Sequence, residues 1–334
     1  MKIAGIGWRC LYNTNRLLYT AFMKCDACQV ECAKFGKNRN GSQRFRCLTC
    51  KRTYSEVLTD RVEGSTIPMA AICKVLQLLL EGCSVRAAER ISELHRDTIL
   101  KLLVIAGLKC EKLMGRLIVN IPVKDVQADE IWGFVGKKQK ALTPDDDPNF
   151  GDQYCFVAME KHTKLVLNFA LGKRNQDVTD IFIEGLRAAT SSQEFQVSTD
   201  GFQPYVSAID TTLGDRVDFA QAIKVYRATP EGERRYSPSE VVSMEVVPVV
   251  GHPDPKRVCT SHIERQNLTM RMQIRRLTRL TNAFSKQWEN HWTALCLHFA
   301  YYNFCRIHRT IRVTPAMEAG ITDHVWTIEE LLSA

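Results

Sequence analysis

Two cysteine pairs constrain the N-terminal part of this chain more than any other feature. Eighteen residues separate the two Cys-x2-Cys pairs, which are Cys25 with Cys28 and Cys47 with Cys50. Two such pairs at this spacing can bring four thiolates to one tetrahedral zinc ion, and a structural site uses all four positions. We therefore predict a small zinc ribbon over residues 23–60 with structural Zn²⁺, in which Cys32 is an alternative ligand for one of the first pair.

The other cysteines and the N-terminus bear on the compartment. The chain has 334 residues and 13 cysteines, an odd number, and nine of them occur singly. Charges interrupt any apolar stretch within residues 1–22, so we predict no targeting signal there and treat this extension as uninformative. No apolar run approaches the ~20 residues that cross a bilayer. We expect a cytoplasmic, nucleoid-associated protein with reduced thiols and no membrane partner.

A run of one-signed charge lies between and just after the cysteine pairs. Residues 33–52 contain seven Lys or Arg and no acidic residue, with Phe35 and Phe45 interleaved. A solvated charged face is the alternative interpretation. Beside a ribbon too small to fold without metal, phosphate contacts explain the pattern better. The predicted DNA contacts here are Lys34, Lys37, Arg39, Arg44 and Arg46.

The next segment predicts a helix-turn-helix domain over residues 61–118. Apolar residues recur at helical spacing until Gly82, and Ser84 can cap a second helix over Val85–Ile91. A turn is expected around Ser92–Leu94, and a third helix begins near Asp97. Any helical hairpin has this pattern, but its place beside a basic ribbon favours DNA binding. The predicted DNA contacts here are Arg86, Arg90 and Arg96.

After Pro122 the pattern changes to alternating strands. Three strands, a helix, a strand, a helix, a fifth strand and a final helix follow over residues 119–320, with a Pro-containing insertion at 227–260 and a tail at 321–334. This is the element order of an RNase H-like fold. The predicted fold class is therefore multidomain α/β, in which a zinc ribbon and helix-turn-helix precede an RNase H-like mixed β-sheet flanked by helices.

Two aspartates mark one edge of that sheet. Asp129 lies on the first predicted strand and Asp200 ends the fourth, and these strands are neighbours in an RNase H-like sheet. Paired carboxylates are the ligands that two hard divalent cations need, so we predict a two-metal site for Mg²⁺ or Mn²⁺. Glu130 and Asp210 are bystanders in this interpretation. Consecutive strand residues face opposite sides, so Asp129 and Glu130 are not both expected in the site.

A third carboxylate is expected from a later helix. Glu264 lies early in a strongly helical segment, and Arg271 falls on nearly the same face two turns later, where its guanidinium could hold a phosphate. A lone Glu near a helix start is otherwise a favourable partner of the helix dipole. Residues 256–312 carry 11 Lys or Arg against two Glu, which predicts a second DNA surface that includes Arg275 and Arg279.

Three stretches together resemble the transposases of the bacterial insertion-sequence-one family. They are ADEIWGFVGKK, STDGFQPY and HIERQNLTMRMQIRRLTRLTNAFSK, and the resemblance extends over roughly residues 23–320. It implies that Asp129, Asp200 and Glu264 form a catalytic DDE triad and that Arg271 is the basic residue seven positions after the glutamate. It also implies Mg-dependent cleavage at terminal inverted repeats, transfer into target DNA, and at least a homodimer on paired ends.

Two other functions compete with this one. The first is an inactive or domesticated DNA-binding regulator that keeps the ribbon and the helix-turn-helix but lacks catalysis. The second is a tyrosine recombinase, suggested by RIHRT at 306–310, but no Tyr follows Arg309 to act as its nucleophile. The net charge of +8 favours a nucleic-acid partner under any of the three.

Overall fold

The structure, a computed structural model, describes residues 6–11, 18–38, 43–55, 65, 67–226 and 241–334. Contacts divide the chain into two compact units, Met1–Met69 and Ala70–Ala334. The predicted DNA contact Arg39, the first 22 side chains, and positions 227–240 of the predicted insertion lie outside the described residues.

The first unit consists of short antiparallel strands. One sheet pairs β1 with β2, and a second has the order β3-β4-β5. Their bounds are Ile6–Leu11 (β1), Leu18–Met23 (β2), Ala33–Lys37 (β3), Gln43–Arg46 (β4) and Thr53–Ser55 (β5). Few of the described side chains are buried here, among them Cys25, Phe45 and Cys47, so apolar packing between them is a small stabilising contribution.

The second unit begins with three helices, α1 (Met69–Leu80), α2 (Val85–Ser92) and α3 (Arg96–Leu117). The Ser84 hydroxyl accepts a hydrogen bond from the Ala87 N–H at 3.1 Å, which caps α2 as predicted. Glu93 adopts the left-handed conformation (φ 60°) and ends α2. The predicted turn and both flanking helices are therefore present.

A six-stranded mixed sheet forms the body of this unit, in the order β11-β10-β9-β6-β7-β8. Its parallel pairs are β6 with β9 and β9 with β10, and the other neighbours are antiparallel. The strands are β6 (Asp125–Val135), β7 (Gly151–Glu160), β8 (Val166–Gly172), β9 (Phe195–Thr199), β10 (Val217–Tyr226) and β11 (Val241–Val250). β11 comes from the predicted insertion, which thus adds an edge strand.

Further helices complete the second unit. They are α4 (Gln176–Ala189), α5 (Pro204–Leu213), α6 (Ser261–Gln273), α7 (Trp288–Ala300), α8 (Pro315–Glu318) and α9 (Ile328–Ser333). Tyr205 on α5 contacts Glu130, whereas Asn267 on α6 contacts Asp129. Because consecutive strand residues face opposite sides, α5 and α6 cover opposite faces of the sheet.

Helix α3 is packed into the same unit as the sheet. Its apolar stripe, which includes Ile99, Leu103 and Cys110, is buried, and the helix runs alongside α7. Gly107 permits this approach, since a Cβ there would lie 2.4 Å from the Cβ of Thr293. The helices of the predicted domain 61–118 are thus continuous with the core that supports the sheet.

Candidate functional site

Strand register brings two aspartates together. In the parallel pair β6–β9, Gln127 lies opposite Ser198. Asp129 lies two residues after Gln127, and Asp200 lies two residues after Ser198. The two aspartates are therefore side by side just past the last paired residues of the two strands. Carboxylate oxygens of Asp129, Glu130 and Asp200 all lie within 4.8 Å of one another. The sheet therefore builds an acidic cluster from two neighbouring strands.

The presence of Glu130 in this cluster corrects the expectation that it is a bystander. The two side chains do leave β6 on opposite faces of the sheet, as their contacts show: Asp129 contacts α6 and Glu130 contacts α5. However, β9 pairs with β6 only as far as Gln127, while β7 continues along the other flank to Val135. Both side chains can thus bend around the flank that β9 leaves open, and their carboxylates meet there.

Glu130 is held by two neighbours. Its side chain is 3% exposed; Arg174 donates from Nε to Oε1 at 2.5 Å, and the Tyr205 hydroxyl donates to Oε2 at 3.1 Å. Arg174 also lies 3.9 Å from Asp200 Oδ2 and over the Phe202 ring. Burial, and then the charge of Asp200, raise the pKa of the Glu130 carboxyl. One arginine thus bridges two of the three acids.

Asp129 sits in an environment that disfavours its charge. Asn267 Nδ2 donates to Oδ2 at 2.8 Å, and the Glu130 N–H donates to Oδ1 at 2.9 Å. Burial chiefly, together with the charges of Glu130, Asp200 and Glu264, raises the pKa of Asp129 to about 7. Carboxylates crowded in this way are typical of sites that bind a cation.

Glu264 faces the same cavity from the first turn of α6. The Gln127 Oε1 atom accepts from the N–H groups of His262 and Ile263, each at 3.1 Å, which fixes the start of α6 over β6. Glu264 forms an ion pair with Lys224 of β10 and accepts from the Thr260 hydroxyl at 2.7 Å. It therefore lies across the cavity from the cluster and is not one of its three members.

The cavity has a volume of about 590 Å³. Its charged lining residues are two acids from neighbouring strands, one from α6, and two cations: Asp129, Asp200, Glu264, Arg174 and Lys224. Oxygen donors of this kind fit Mg²⁺ or Mn²⁺, and the two cations could face an anionic group bound beside the metal.

Arg271 is placed elsewhere on α6. Its Nη1 donates to the Leu277 carbonyl at 3.1 Å, and it is not among the described residues that line the carboxylate cavity. Burial, with the charge of Arg279 secondary, lowers the pKa of Arg271 to about 10. Arg275 and Arg279 are exposed beyond the helix end. Of the four residues predicted on or after this helix, Glu264, Arg271, Arg275 and Arg279, only Glu264 lines the cavity that contains Asp129 and Asp200.

The four predicted zinc ligands come together in the first unit. Sulfur atoms of Cys25, Cys28, Cys47 and Cys50 lie within 4.8 Å of one another. The two pairs have matching turns. The first cysteine of each donates its N–H to the carbonyl five residues later at 2.9 Å and accepts from the N–H four residues later.

The residue four positions after each first cysteine has a positive φ, 56° at Gln29 and 62° at Lys51. The Tyr54 hydroxyl lies 3.1 Å from Cys25 Sγ and lowers the pKa of that thiol to about 6. Four clustered thiols, one of them readily ionised, fit Zn²⁺, whereas Cys32 is not part of this four-sulfur set.

Predicted DNA contacts lie on exposed surfaces of both units. In the first unit, Lys34 and Lys37 are exposed, while Arg44 and Arg46 lie over the Phe35 ring at 5.4 and 5.0 Å. In the second unit, Arg86 and Arg90 are exposed at the two ends of α2, and Arg96 is exposed at the start of α3. Cations beside an exposed ring are suited to nucleic acid.

Sequence reasoning missed four residues that shape the carboxylate cavity: Gln127, Arg174, Lys224 and Asn267. Asn267 follows Glu264 by three positions, so helical spacing alone could have placed both on one face. Arg174 and Lys224 reach the site only through strand order, for which the sequence carries no local signal.

No protein-family profile and no curated protein matches this sequence. Among solved structures, the chain is similar to a piggyBac transposase synaptic complex with hairpin DNA (10% identity, 83% of this chain and 71% of that one, TM-score 0.40). It is also similar to the Mos1 strand transfer complex (13% identity, 68% and 77%, TM-score 0.20). At these scores neither likeness establishes a shared fold. Within the described residues, no helix is both long and apolar enough to cross a membrane.

Proposed function

We propose that this protein is a DNA transposase of a bacterial insertion sequence that cleaves and joins DNA strands with divalent metal. The observation that carries this proposal is the β6–β9 register, which sets Asp129 beside Asp200 just past the end of that pairing, with Glu264 across the same cavity. A DNA-binding protein without catalysis has no need for three carboxylates around one cavity.

Asp129, Asp200 and Glu264 would hold two Mg²⁺ or Mn²⁺ ions. When bound, such a pair activates the attacking hydroxyl and stabilises the leaving oxygen of a phosphodiester. Asn267 and Gln127 would orient the carboxylates, because one holds Asp129 and the other fixes the helix that carries Glu264. Glu130 would position Arg174, whose side chain is 38% exposed, so that its guanidinium can contact a phosphate oxygen of DNA bound at the cavity.

The remaining parts would bind and position DNA. A Zn²⁺ held by Cys25, Cys28, Cys47 and Cys50 would fold the ribbon, whose basic strands contact phosphates. The exposed arginines of α2 and α3 would contact the terminal inverted repeats as a helix-turn-helix does. Arg271 is kept as a phosphate contact that must leave the Leu277 carbonyl first. Pairing two ends requires at least a homodimer, acting at the nucleoid.

One observation favours a second candidate, a DNA-binding regulator that has lost catalysis. Both Glu130 and Glu264 are already neutralised by cations, Arg174 and Lys224. An acidic site filled by its own basic side chains would be inert. The two functions differ in strand cleavage and agree in DNA binding.

Cleavage of labelled DNA decides between them. The full chain is incubated with the duplex that flanks its gene, with Mg²⁺ or with EDTA, and nicked strands are resolved on a denaturing gel. Asp129→Asn and Asp200→Asn should each lower nicking at least ~10³-fold while retaining DNA affinity. The control Asp210→Asn, at an exposed position of α5, should cut like the wild type. Wild-type DNA binding without cleavage would favour the regulator, and loss of both would reject both functions.

A further inference from the structure

A second cavity in the Ala70–Ala334 unit has walls of one charge sign. It has a volume of about 670 Å³ and lies between the starts of α2 and α3 and the segment 273–298. No Asp or Glu occurs among its described lining residues. Four exposed cations line it: Arg86, Arg96, Arg275 and Lys286.

No carboxylate of the described residues offsets the charge of these cations. Within the part of the chain that the structure describes, none of the four forms an ion pair with a carboxylate. Unpaired like charges around one opening repel each other and stabilise an anion that enters between them. The charge of the opening thus indicates an anionic ligand.

Behind the charged side chains part of the wall is apolar. Leu79, Leu100 and Leu103 line the cavity. So does Phe284, whose ring stacks on Phe134 with centroids 4.4 Å apart and has Lys286 Nζ 3.5 Å from its centroid. A free phosphate or sulfate would leave this apolar surface in contact with water. The ligand should therefore carry a flat or apolar body together with its negative charge.

The volume selects among such ligands. A cavity of this size suits one drug-sized molecule and is far too small for a double helix. Arg86 and Arg96 belong to the surface proposed above to bind DNA, so a DNA strand on that surface passes the opening. A base turned out of the duplex combines a flat body with adjoining phosphates.

We propose that this cavity binds one unpaired nucleotide of the DNA held on α2 and α3. The base packs against the leucines beside the edge of Phe284, while the flanking phosphates contact Arg86, Arg96, Arg275 and Lys286. This inference rests on the DNA binding in the proposed function and adds a site that recognises distorted or opened DNA.

Three 40-base-pair duplexes of the same sequence test the proposal by fluorescence anisotropy with the full chain. One is fully paired, one has a single extra unpaired base, and one has an abasic residue in place of that base. The bulged base should bind at least about fivefold tighter than the paired duplex, the lower end for base stacking on protein. The abasic bulge should lose that preference, because it lacks the base while it keeps the flexibility and the phosphate of the bulge.

Two variants fill the cavity from different walls. Ala283→Trp and Ala294→Phe should bind the bulged and paired duplexes equally while retaining wild-type affinity for the paired one. Ala141→Trp, at an exposed position outside the cavity, is the matched control and should keep the preference. Thermal melting of each variant checks that it is folded.

The outcomes separate the two proposals. Equal wild-type affinity for bulged and paired DNA, equal preference for the abasic bulge, or a preference that survives both fillers would overturn the nucleotide site alone. If the wild type binds none of the duplexes, the proposed DNA function fails as well.

Discussion

Lys224 and Glu264 form an ion pair that joins strand β10 to the first turn of α6 inside the carboxylate cavity. Glu264 is 41% exposed and Lys224 is 24% exposed, so solvent reaches the pair and weakens it. A lysine at this point competes with a metal ion for the same carboxylate.

Removing that lysine should strengthen metal binding. We expect Lys224→Met to tighten Mn²⁺ binding roughly fivefold, because loss of a partly exposed ion pair worth up to about 1 kcal/mol frees Glu264. Titration of Mn²⁺ by electron paramagnetic resonance measures it. Lys101→Met, on the exposed side of α3, should leave the affinity unchanged. Unaltered or weaker binding in Lys224→Met would mean that Glu264 takes no part in holding the metal.

The Arg174–Glu130 pair should matter more for stability than a surface pair does. Glu130 is 3% exposed and close to two other acids, so Arg174→Met leaves a buried carboxylate without its cation. We expect a loss of about 2–3 kcal/mol in the free energy of unfolding by urea. Arg187→Met removes the exposed pair with Asp215 and should cost clearly less, because solvent screens that pair. Equal losses would show that burial at Glu130 is unimportant.

Zinc binding should require Cys25, Cys28, Cys47 and Cys50 but not Cys32. Cys47→Ser should abolish the single bound zinc per chain, measured by atomic absorption, and should expose residues 23–55 to trypsin, because the metal stabilises this small unit. Cys32→Ser should keep its zinc. The unit Ala70–Ala334 should melt at an unchanged temperature in both variants, since it has its own core. Zinc loss in Cys32→Ser would assign that residue as a ligand.

Two glycines of α3 should respond to alanine in opposite directions. At Gly107 a Cβ meets Thr293 at 2.4 Å, whereas at Gly115 nothing lies within 4 Å. Gly107→Ala should destabilise by about 1–3 kcal/mol through overpacking against α7. Gly115→Ala should stabilise by up to about 1 kcal/mol, because alanine is the better helix former. Urea unfolding of both variants compares them directly, and the same sign at both positions would refute the packing of α3 on α7.

Two buried histidines should make the free energy of unfolding fall at acidic pH. Burial lowers the pKa of His291 and of His298 to about 3, against about 6.5 in an unfolded chain. Each stays neutral when folded, so the unfolded state binds more protons between pH 6.5 and 3. Stability is full above pH 6.5 and falls below it by up to about 1.4 kcal/mol per pH unit for each group.

Asp129 titrates in the opposite sense over this range, because its raised pKa of about 7 makes the folded state bind a proton, so the test uses the Asp129→Asn variant. Urea unfolding of Asp129→Asn at pH 7.5 and 5.5 should show a clear loss, and adding His298→Gln should make the dependence shallower, because one of the two titrating histidines is then absent. A stability of Asp129→Asn that is flat over this range would contradict neutral, buried imidazoles.

Local patterns in the sequence predicted much of this fold. The Ser84 cap, the turn before α3 and the order of the first five sheet strands are confirmed, because each depends on periodicity or capping within a few residues. The sixth strand, β11, could not be placed, since its pairing partner β10 is set by tertiary contacts.

The site was harder to predict than the fold. Strand alternation was sound for the backbone and still gave a wrong expectation for Glu130, because the carboxylates meet where β9 stops pairing. The stopping point of a neighbouring strand is a property of the sheet and leaves no mark on the residues of β6. Arg271 illustrates the converse, since helical spacing placed it near Glu264 but its guanidinium binds the Leu277 carbonyl.

Helix α3 has a mechanical consequence. It is one uninterrupted rod of 22 residues, about 33 Å long, with Arg96 exposed at one end and Gly107 wedged against α7 farther along. A ligand gripped at its first turn is thereby held at a fixed distance and angle from the sheet. A single residue inserted between Arg96 and Gly107 would turn the gripping end by about 100° while leaving the carboxylates untouched. Under the proposed function, the length of α3 would set the distance and angle between the bound DNA and the carboxylates.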